Sequence, residues 1–507
     1  MSNTNVFLHW SSYRYFPYEK YLARREVKSL IKPSHVVQIR DGLRVSGNFD
    51  EANLQRLVYF ADYKLNGEIR HTLQSKLESS CTVTGSQRRQ STRYSVHGMH
   101  EYKGKFNPQV VRGVLNILGV SLNSIIIDPF CGSGTTLVEC SHIDMDATGY
   151  DMNPLAIYIA NAKLKSLSTP EPELRKYFFK LGKTYGKRGQ SARFVTATNR
   201  NERIEYLRRW FDESTLATIE KLRSVILNVT GEYSDIFLVL ASDLIRDYSL
   251  QEPTDLRIRR RYTPFPKQSL WDAFNFKALR FLDNLASVQQ VIGVKKNNSR
   301  AFLCDSRTIN RLSCLNHSRS YNAAITSPPY ATALPYIDTQ RLSLVWLDLL
   351  SPNDIGNLES YLTGSREFIS DQKQQWVNAL ADNSKHLPSS IYEYCLKLQR
   401  AVSKDDGFRR RSVPSLMYRY LSDMRDVFKS MLEVMRNSAP FALIVGHNRT
   451  TLGGKQFDID TPALLKSIAL ECGWLLGESF TLQTYQRYGS HVANAVRAET
   501  LLIVRKP

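Results

Sequence analysis

The stretch Asp128-Pro-Phe-Cys-Gly-Ser-Gly-Thr-Thr136 constrains this chain more than any other. It follows Ser124-Ile-Ile-Ile127, a short apolar run suited to a strand buried on both faces. Two glycines then permit a tight turn, and Leu137-Val-Glu-Cys140 suits the opening of a helix. Strand, glycine turn and helix in that order build a nucleotide-sized crevice at the carboxyl end of the first strand of a doubly wound sheet. Backbone N–H groups can approach a ligand there, and the helix N-terminus adds unpaired donors. An ordinary strand-to-helix turn with two glycines is the structural alternative.

The downstream pattern extends that sheet. Ala147-Thr-Gly-Tyr-Asp151 reads as a second strand ending in an acid seventeen residues beyond Gly134. An acid near that spacing can accept both hydroxyls of a ribose, while capping of the helix that begins at Asn153-Pro-Leu is the alternative role. Ala301-Phe-Leu-Cys-Asp305 gives a third strand with an acid at its tip, and Asn322-Ala-Ala-Ile-Thr-Ser327 a fourth that runs into Pro328-Pro329-Tyr330. A helix is expected near 338–350, another at 416–435, a strand at 441–446, a helix at 461–472, and strands at 475–484 and 499–505. The last two strands have no helix between them and predict an antiparallel edge pair. The expected fold class is α/β: a doubly wound, mostly parallel, seven-stranded Rossmann-like sheet with an N-terminal α+β appendage and helical insertions.

The chain divides on this reading into an appendage at 1–90, the first half of the sheet domain at 91–164, a helical insertion at 165–300, the second half at 301–350, a polar and basic insertion at 351–415, and the end of the sheet at 416–507. In the appendage, helical spacing covers 18–31, a hairpin joins 36–39 to 43–45, and 50–64 reads as helical. Residues 86–106 interleave Arg88, Arg89, Arg93, Lys103 and Lys105 with Tyr94, Tyr102, His97 and His100, the pattern of a phosphate-contacting arm or of a solvated linker. An amphipathic helix follows from 110 to 118. Helices are expected at 171–185, 214–228 and 234–247.

Lys+Arg 68 against Asp+Glu 48 gives a formal net charge of +20, an excess that points to a polyanionic partner. The densest basic run holds Arg257, Arg259, Arg260 and Arg261 beside Tyr262 and Phe265, and a second holds Arg409, Arg410 and Arg411 after Phe408. Basic side chains beside aromatics suit phosphates and stacked bases. A solvated charge run is the alternative. Seven scattered cysteines without a CxxC pair argue for a reducing compartment and against a disulfide framework or a structural zinc site, so no metal is expected. The N-terminus lacks the basic head and apolar run of a secretory signal, and no stretch is expected to span a bilayer, which leads to a cytoplasmic location without a membrane partner.

Thr326-Ser-Pro-Pro-Tyr330 carries the chemistry. Two consecutive prolines cannot donate hydrogen bonds and fix φ, so the segment leaves the sheet rigidly with its carbonyls free to accept. Ser327 adds a hydroxyl acceptor and Tyr330 a flat face for a heterocycle. Such a site suits an exocyclic amine whose two N–H groups meet the Ser327 oxygen and the Pro328 carbonyl. Its nitrogen lone pair is then aimed at an electrophile, and no strong base is needed if the proton leaves after attack.

Asp128–Thr136 and Thr326–Tyr330 together resemble motifs I and IV of the S-adenosylmethionine-dependent amino-DNA methyltransferases, and His100–Pro108 resembles their motif X. The Ser-Pro-Pro-Tyr form is that of the N4-cytosine enzymes, whereas N6-adenine enzymes more often show Asp or Asn before Pro-Pro-Tyr. The resemblance covers 100–165, 300–350 and, loosely, 416–507. It implies S-adenosylmethionine as cofactor, double-stranded DNA as partner, and a role as the modification enzyme of a restriction system with a cognate endonuclease. By the same resemblance, Asp128, Pro129 and the turn Phe130, Cys131, Gly132, Ser133, Gly134 and Thr135 would hold the cofactor's amino acid part, with Phe106 closing over it. Asp151 would take the ribose hydroxyls and Asp305 the adenine amine, while Ser327, Pro328, Pro329 and Tyr330 would hold a target base swung out of the duplex.

Three rivals fail on the residues. No Pro-Cys dipeptide serves a C5-cytosine enzyme, Gly134 is not followed by the lysine of a phosphate loop, and Leu137 stands where a dinucleotide site wants a third glycine. An N6-adenine enzyme and a tRNA guanosine-N2 methyltransferase remain as alternatives. The latter shares the Asp-Pro-Phe-Cys-Gly-x-Gly turn and carries an N-terminal appendage, but usually has Asp in place of Ser327.

Overall fold

The computed structural model describes residues 4–80, 90–186, 201–296, 298–311, 320–331, 337–369, 371–483 and 498–507. Cys81, Arg88, Arg89 and Cys314 lie outside the described residues, as does the end of the expected 475–484 strand.

The chain opens with β1 (Thr4–Trp10), α1 (Pro17–Glu26), β2 (His35–Ile39), β3 (Gly42–Gly47), α2 (Glu51–Gln55), β4 (Phe60–Leu65), β5 (Glu68–His71) and α3 (Leu73–Ser79). The strands form an antiparallel five-stranded sheet in the order β2-β3-β1-β4-β5. The helix expected over 50–64 is wrong beyond its first turn. Asp50 caps α2 by accepting from the Ala52 amide, but Phe60 then stacks on Trp10 at 4.6 Å and 16°, and β4 pairs with β1. Cross-strand aromatic packing outweighs the local helical spacing here.

The larger sheet begins with α4 (Pro108–Leu118), β6 (Ile125–Asp128), α5 (Thr135–His142), β7 (Asp146–Asp151) and α6 (Pro154–Ser168). A run of helices follows: α7 (Glu171–Tyr185), α8 (Glu202–Arg208), α9 (Glu213–Thr230), α10 (Ser234–Ile245) and α11 (Leu270–Ile292). Then come β8 (Arg300–Leu303), β9 (Ala323–Thr326), α12 (Arg341–Trp346), α13 (Ile355–Tyr361), α14 (Gln372–Ala381), α15 (Ser389–Arg400), α16 (Phe408–Arg411) and α17 (Val413–Val434). The chain closes with β10 (Pro440–Gly446), β11 (Asn448–Leu452), β12 (Lys455–Ile459), α18 (Thr461–Glu471), β13 (Leu475–Gln483) and β14 (Ala498–Arg505).

Seven strands pair in the order β13-β14-β10-β9-β6-β7-β8. The five central and distal strands run parallel, and β14 pairs antiparallel with both β10 and β13, as the missing helix predicted. Two apolar cores cover the sheet. One runs without a break from β1, β3 and α1 through α4 and α5 into α6–α11, and the other joins the opposite face to α17, α18 and α15. The fold is therefore the doubly wound α/β class.

Three elements depart from expectation. The helix expected at 338–350 shrinks to Arg341–Trp346, β11 and β12 form an unforeseen hairpin, and the long α11 falls inside the expected helical insertion at a place where no single helix was expected. One stretch, Glu213–Tyr248, also reaches the length and mean hydropathy (1.3) of a membrane span, against the expectation of none. Its apolar side chains pack against α6, α7 and α11 in the first core.

Candidate functional site

β6, β7, β8, β9 and β10 point their carboxyl ends at one cavity of about 550 Å³, a size suited to a nucleoside-sized ligand together with a base. It is bordered by Phe106, Phe130, Gly132, Asp151 and Asp305, and by Ser327, Pro328, Pro329 and Tyr330. A small annex behind it reaches Asp128, Cys131, Ser133 and Thr135. The fold thus assembles two motifs that lie far apart in sequence.

The glycine turn is held mostly by itself. Asp128 is buried, and its carboxylate accepts from the Thr136 hydroxyl (2.5 Å), the Thr326 hydroxyl (2.6 Å) and the Phe130 amide (3.1 Å). Burial pushes it up to about 6. Its oxygens knit β6 to the turn and to β9. The Pro129 carbonyl accepts from the Ser306 hydroxyl, and the Cys131 amide donates to the Tyr150 carbonyl at 3.0 Å. Cys131 is packing: a Cβ on Gly149 would come within 2.7 Å of its sulfur. Gly134 adopts φ +80, and a Cβ there would lie 2.7 Å from that of Ala160, so the turn sits directly on α6. Beneath it the fully buried Lys163 donates to the Ser133 carbonyl (2.8 Å) and hydroxyl (3.2 Å).

Asp151 fits an acceptor role better than a cap. Asn153, not Asp151, caps α6 by accepting from the Leu155 amide at 3.0 Å. The Asp151 carboxylate accepts from the Gly132 amide (3.0 Å) and the Asn153 amide (2.9 Å), which fixes it at the cavity wall. Burial raises it to about 6, so it is predominantly ionised at neutral pH. Asp305 borders the cavity, yet both its oxygens accept from Arg307, whose guanidinium also reaches Asp423 at 2.7 Å. Its capacity toward an adenine amine is therefore shared with an ion pair.

At the other strand tip, the Ser327 hydroxyl donates to the Ile444 carbonyl at 3.3 Å. With its proton directed into β10, the oxygen presents lone pairs and no donor to the cavity. Tyr330 is braced from three sides. Its hydroxyl donates to Glu499 at 2.6 Å. A Cβ on Gly446 would come 2.2 Å from its ring, and one on Gly364 2.6 Å from its carbonyl. Only glycines allow so close an approach.

The expected arm at 86–106 is, where described, partly packed into the fold, although Arg93 stays exposed. Tyr94 and His97 are buried, and both bond Glu139 (2.8 and 2.7 Å), while the Arg112 guanidinium meets the same carboxylate at 2.6 Å. His97, Glu139 and His142 have the proximity of a metal site, but Arg112 already supplies the positive charge among them. Lys105 lines the cavity, donates to the Thr92 and His97 carbonyls (2.9 and 3.1 Å), and is drawn down to about 7 by burial.

The basic runs divide. Arg261 spends its guanidinium on the carbonyls of Asp247, Ser249, Thr263 and Pro264, and Arg260 bonds the Arg209 carbonyl and lies 5.0 Å over Trp210. Arg261 thus braces a loop, whereas Arg260 is exposed and keeps part of its guanidinium at the surface. Arg259 pairs with Asp255 at 2.9 Å but stays 60% exposed. Arg257, Arg409, Arg410 and Arg411 are exposed as well. Arg409 acts on Asp338, which also accepts from the Ile258 amide, so both basic runs flank one patch.

Several lining residues had no sequence signal of their own. Tyr102 and Lys105 sit inside the His100–Pro108 segment and were within reach of that motif. Glu499, Ile444 and Leu482 come from ordinary-looking strands, and Phe16 and Tyr18 from the appendage. Their roles appear only when chain segments hundreds of residues apart are brought together.

A family described as DNA methylase, N6_N4_Mtase, matches residues 61–162. The chain is 33% identical over 147 residues to the type II methyltransferase M.MjaII of Methanocaldococcus jannaschii, covering 29% of this chain and 27% of that protein. It is 24% identical over 302 residues to the type II methyltransferase M.MvaI of Kocuria varians, covering 54% and 63%. These two relatives are thus spanned for about a quarter and under two thirds of their lengths. Among solved structures, TrmN from Thermus thermophilus aligns with 99% of this chain and 100% of that one at 9% identity and a TM-score of 0.33, too slight a likeness to bear on substrate.

Proposed function

We propose that this chain, similar over part of its length to amino-DNA methyltransferases, binds S-adenosylmethionine and methylates the exocyclic N4 amine of cytosine in duplex DNA. The observation that carries the reading is Ser327: its oxygen enters the cavity as an acceptor, one residue before a rigid Pro-Pro-Tyr corner. The serine form of this motif supports cytosine over adenine. The likeness to type II methyltransferases supports a role as the modification half of a restriction–modification system, acting on DNA in the cytoplasm alongside a cognate endonuclease.

Bound S-adenosylmethionine supplies an electrophilic methyl group on its sulfonium. The residues of the chain supply position. Asp151 accepts the ribose hydroxyls, and Phe106 with Phe130 forms apolar wall around the donor. A cytosine turned out of the helix enters against Tyr330. Its amine would donate one N–H to the Ser327 oxygen and one to the Pro328 carbonyl, which would fix the orientation of the nitrogen lone pair toward the donor side of the cavity. An amine methylated there would carry a positive charge between the Ser327 oxygen and the Pro328 carbonyl and would lose its proton to water, so no strong general base would be required of the chain. The exposed Arg257, Arg259 and Arg409–Arg411 suit backbone phosphates, and the insertions that carry them, 165–300 and 351–415, are the candidates for reading the target sequence.

Incubation with labelled S-adenosylmethionine and either duplex DNA or tRNA, followed by digestion and mass spectrometry of nucleosides, tests this. N4-methylcytosine from the DNA is expected. N6-methyladenine, or label confined to tRNA, overturns the choice of target.

A further inference from the structure

The appendage does more than pack beside the sheet. We propose that Phe16 and Tyr18, at the entry to α1, are binding residues for the extrahelical base and form the aromatic wall of the pocket near Tyr330. This rests on the methyltransferase reading above.

The position follows from a register along α1. Arg25 pairs with Glu478 and lies 4.7 Å over Phe480, and Tyr21 meets the Phe480 ring at 5.1 Å. As α1 is followed back toward its start, its partners on β13 advance, and Phe16 and Tyr18 border the cavity together with Leu482. Leu482 stands opposite Glu499 on β14, and Glu499 holds the Tyr330 hydroxyl. The acids Asp151 and Asp305 end β7 and follow β8, at the other extreme of the strand order. The register along α1 thus sets the two rings on the β13–β14 flank of the cavity, the flank of Glu499 and Tyr330, away from the strand tips that carry Asp151 and Asp305.

The pair is also held ready. The rings stack at 5.7 Å and 12°. Pro17 starts the helix, and the Phe16 amide donates to the buried Glu19 carboxylate at 2.5 Å. One helical turn past Leu22, the buried Glu26 carboxylate accepts from the Val58 and Tyr59 amides and from Asn116, which locks α1 to its own sheet and to α4. Phe16 remains only half-buried while Tyr18 is nearly enclosed, so the ring with open surface is the one that a base would cover. Stacking on such a ring is available to any base and suits a pocket whose polar recognition is left to Ser327 and Pro328.

The test uses the full chain with Phe16→Leu, which keeps apolar bulk, and Phe16→Tyr, which keeps the ring. Methyl transfer to mixed-sequence duplex DNA and S-adenosylmethionine affinity by calorimetry are measured on each. The leucine variant is expected to lose roughly tenfold or more in kcat/KM for DNA, with cofactor Kd within about twofold and an unchanged melting temperature, and the tyrosine variant to recover most of the loss. Wild-type kcat/KM in the leucine variant overturns the inference, as does cofactor affinity that falls in step with activity, or a tyrosine variant no better than leucine. An unmodified chain that methylates no DNA fails the functional reading itself, an outcome separate from an active chain indifferent to Phe16.

Discussion

At the β6–β7 end of the cavity the acids arrive already occupied, whereas at the β9–β10 end the polar groups keep their acceptor capacity in reserve. Asp128 and Asp151 spend lone pairs on amides and hydroxyls of the turn. Ser327 spends only its proton, and Tyr330 is fixed by glycines and Glu499 with its ring left to the cavity. The first arrangement suits a ligand that must bind and be replaced on every cycle without the site relaxing. The second suits a guest whose amine must be oriented, because acceptors without a competing donor dictate which way its N–H groups point.

Removing the reserve acceptor breaks this contrast most directly. Ser327→Ala is expected to lower the transfer rate by roughly 10²–10³ with cofactor affinity unchanged. Retention of full activity would sink the role given to that hydroxyl. Next comes Gly446→Ala, whose Cβ would stand 2.2 Å from the Tyr330 ring. The ring must shift, and a displacement of that order costs about 10² in rate. A structure of the variant with Tyr330 unmoved would refute the bracing argument.

The opposite end predicts a different signature. Asp151→Asn removes a charged acceptor and should weaken cofactor binding by roughly tenfold or more, while kcat at saturating cofactor changes little. A fall in kcat with Kd intact would erase the division of labour between the two ends. The smallest effect is on pH. Burial raises both Asp128 and Asp151 to about 6. The folded chain then holds these protons more tightly than the unfolded chain, so the stabilisation is full below the unfolded value near 4 and is lost as pH rises through 6. Ligand-free protein should gain roughly 1 kcal/mol per acid between about pH 7.5 and 5. Cofactor affinity should move the other way, falling below pH 6 as Asp151 ceases to accept. Melting curves with and without cofactor, repeated on the Asp151→Asn variant, check both signs, and an unaltered pH dependence in that variant would refute the assignment.

The central sheet was legible because its strands are short, continuously apolar and followed by glycine, proline or acid: Ile125–Asp128, Ala323–Thr326 and Pro440–Gly446 read as buried from their residues alone. Ser327 and Tyr330 were legible for the same reason, since consecutive prolines leave few conformations. What escaped depended on distant partners. β4 looks helical until Trp10 is placed against Phe60, and Arg261 looks like free charge until loop carbonyls close around it. α11 is different. Its apolar stripe at Leu270, Phe274, Ala278, Leu282 and Leu285 carries helical spacing in the residues themselves, with no distant partner needed to read it. Glu499 had no local signal at all, because its meaning is the hydroxyl of a tyrosine 169 positions earlier.

The bond from Thr326 to Asp128 joins residues 198 apart. During synthesis at about 5–20 residues per second, β6 waits roughly 10–40 seconds before its neighbour β9 exists. For that interval the nascent chain carries an apolar edge with unpaired backbone and a carboxylate whose hydroxyl partner has not left the ribosome. Slower translation lengthens that exposure, so soluble yield is expected to depend on chaperone supply while the intervening helices are being made.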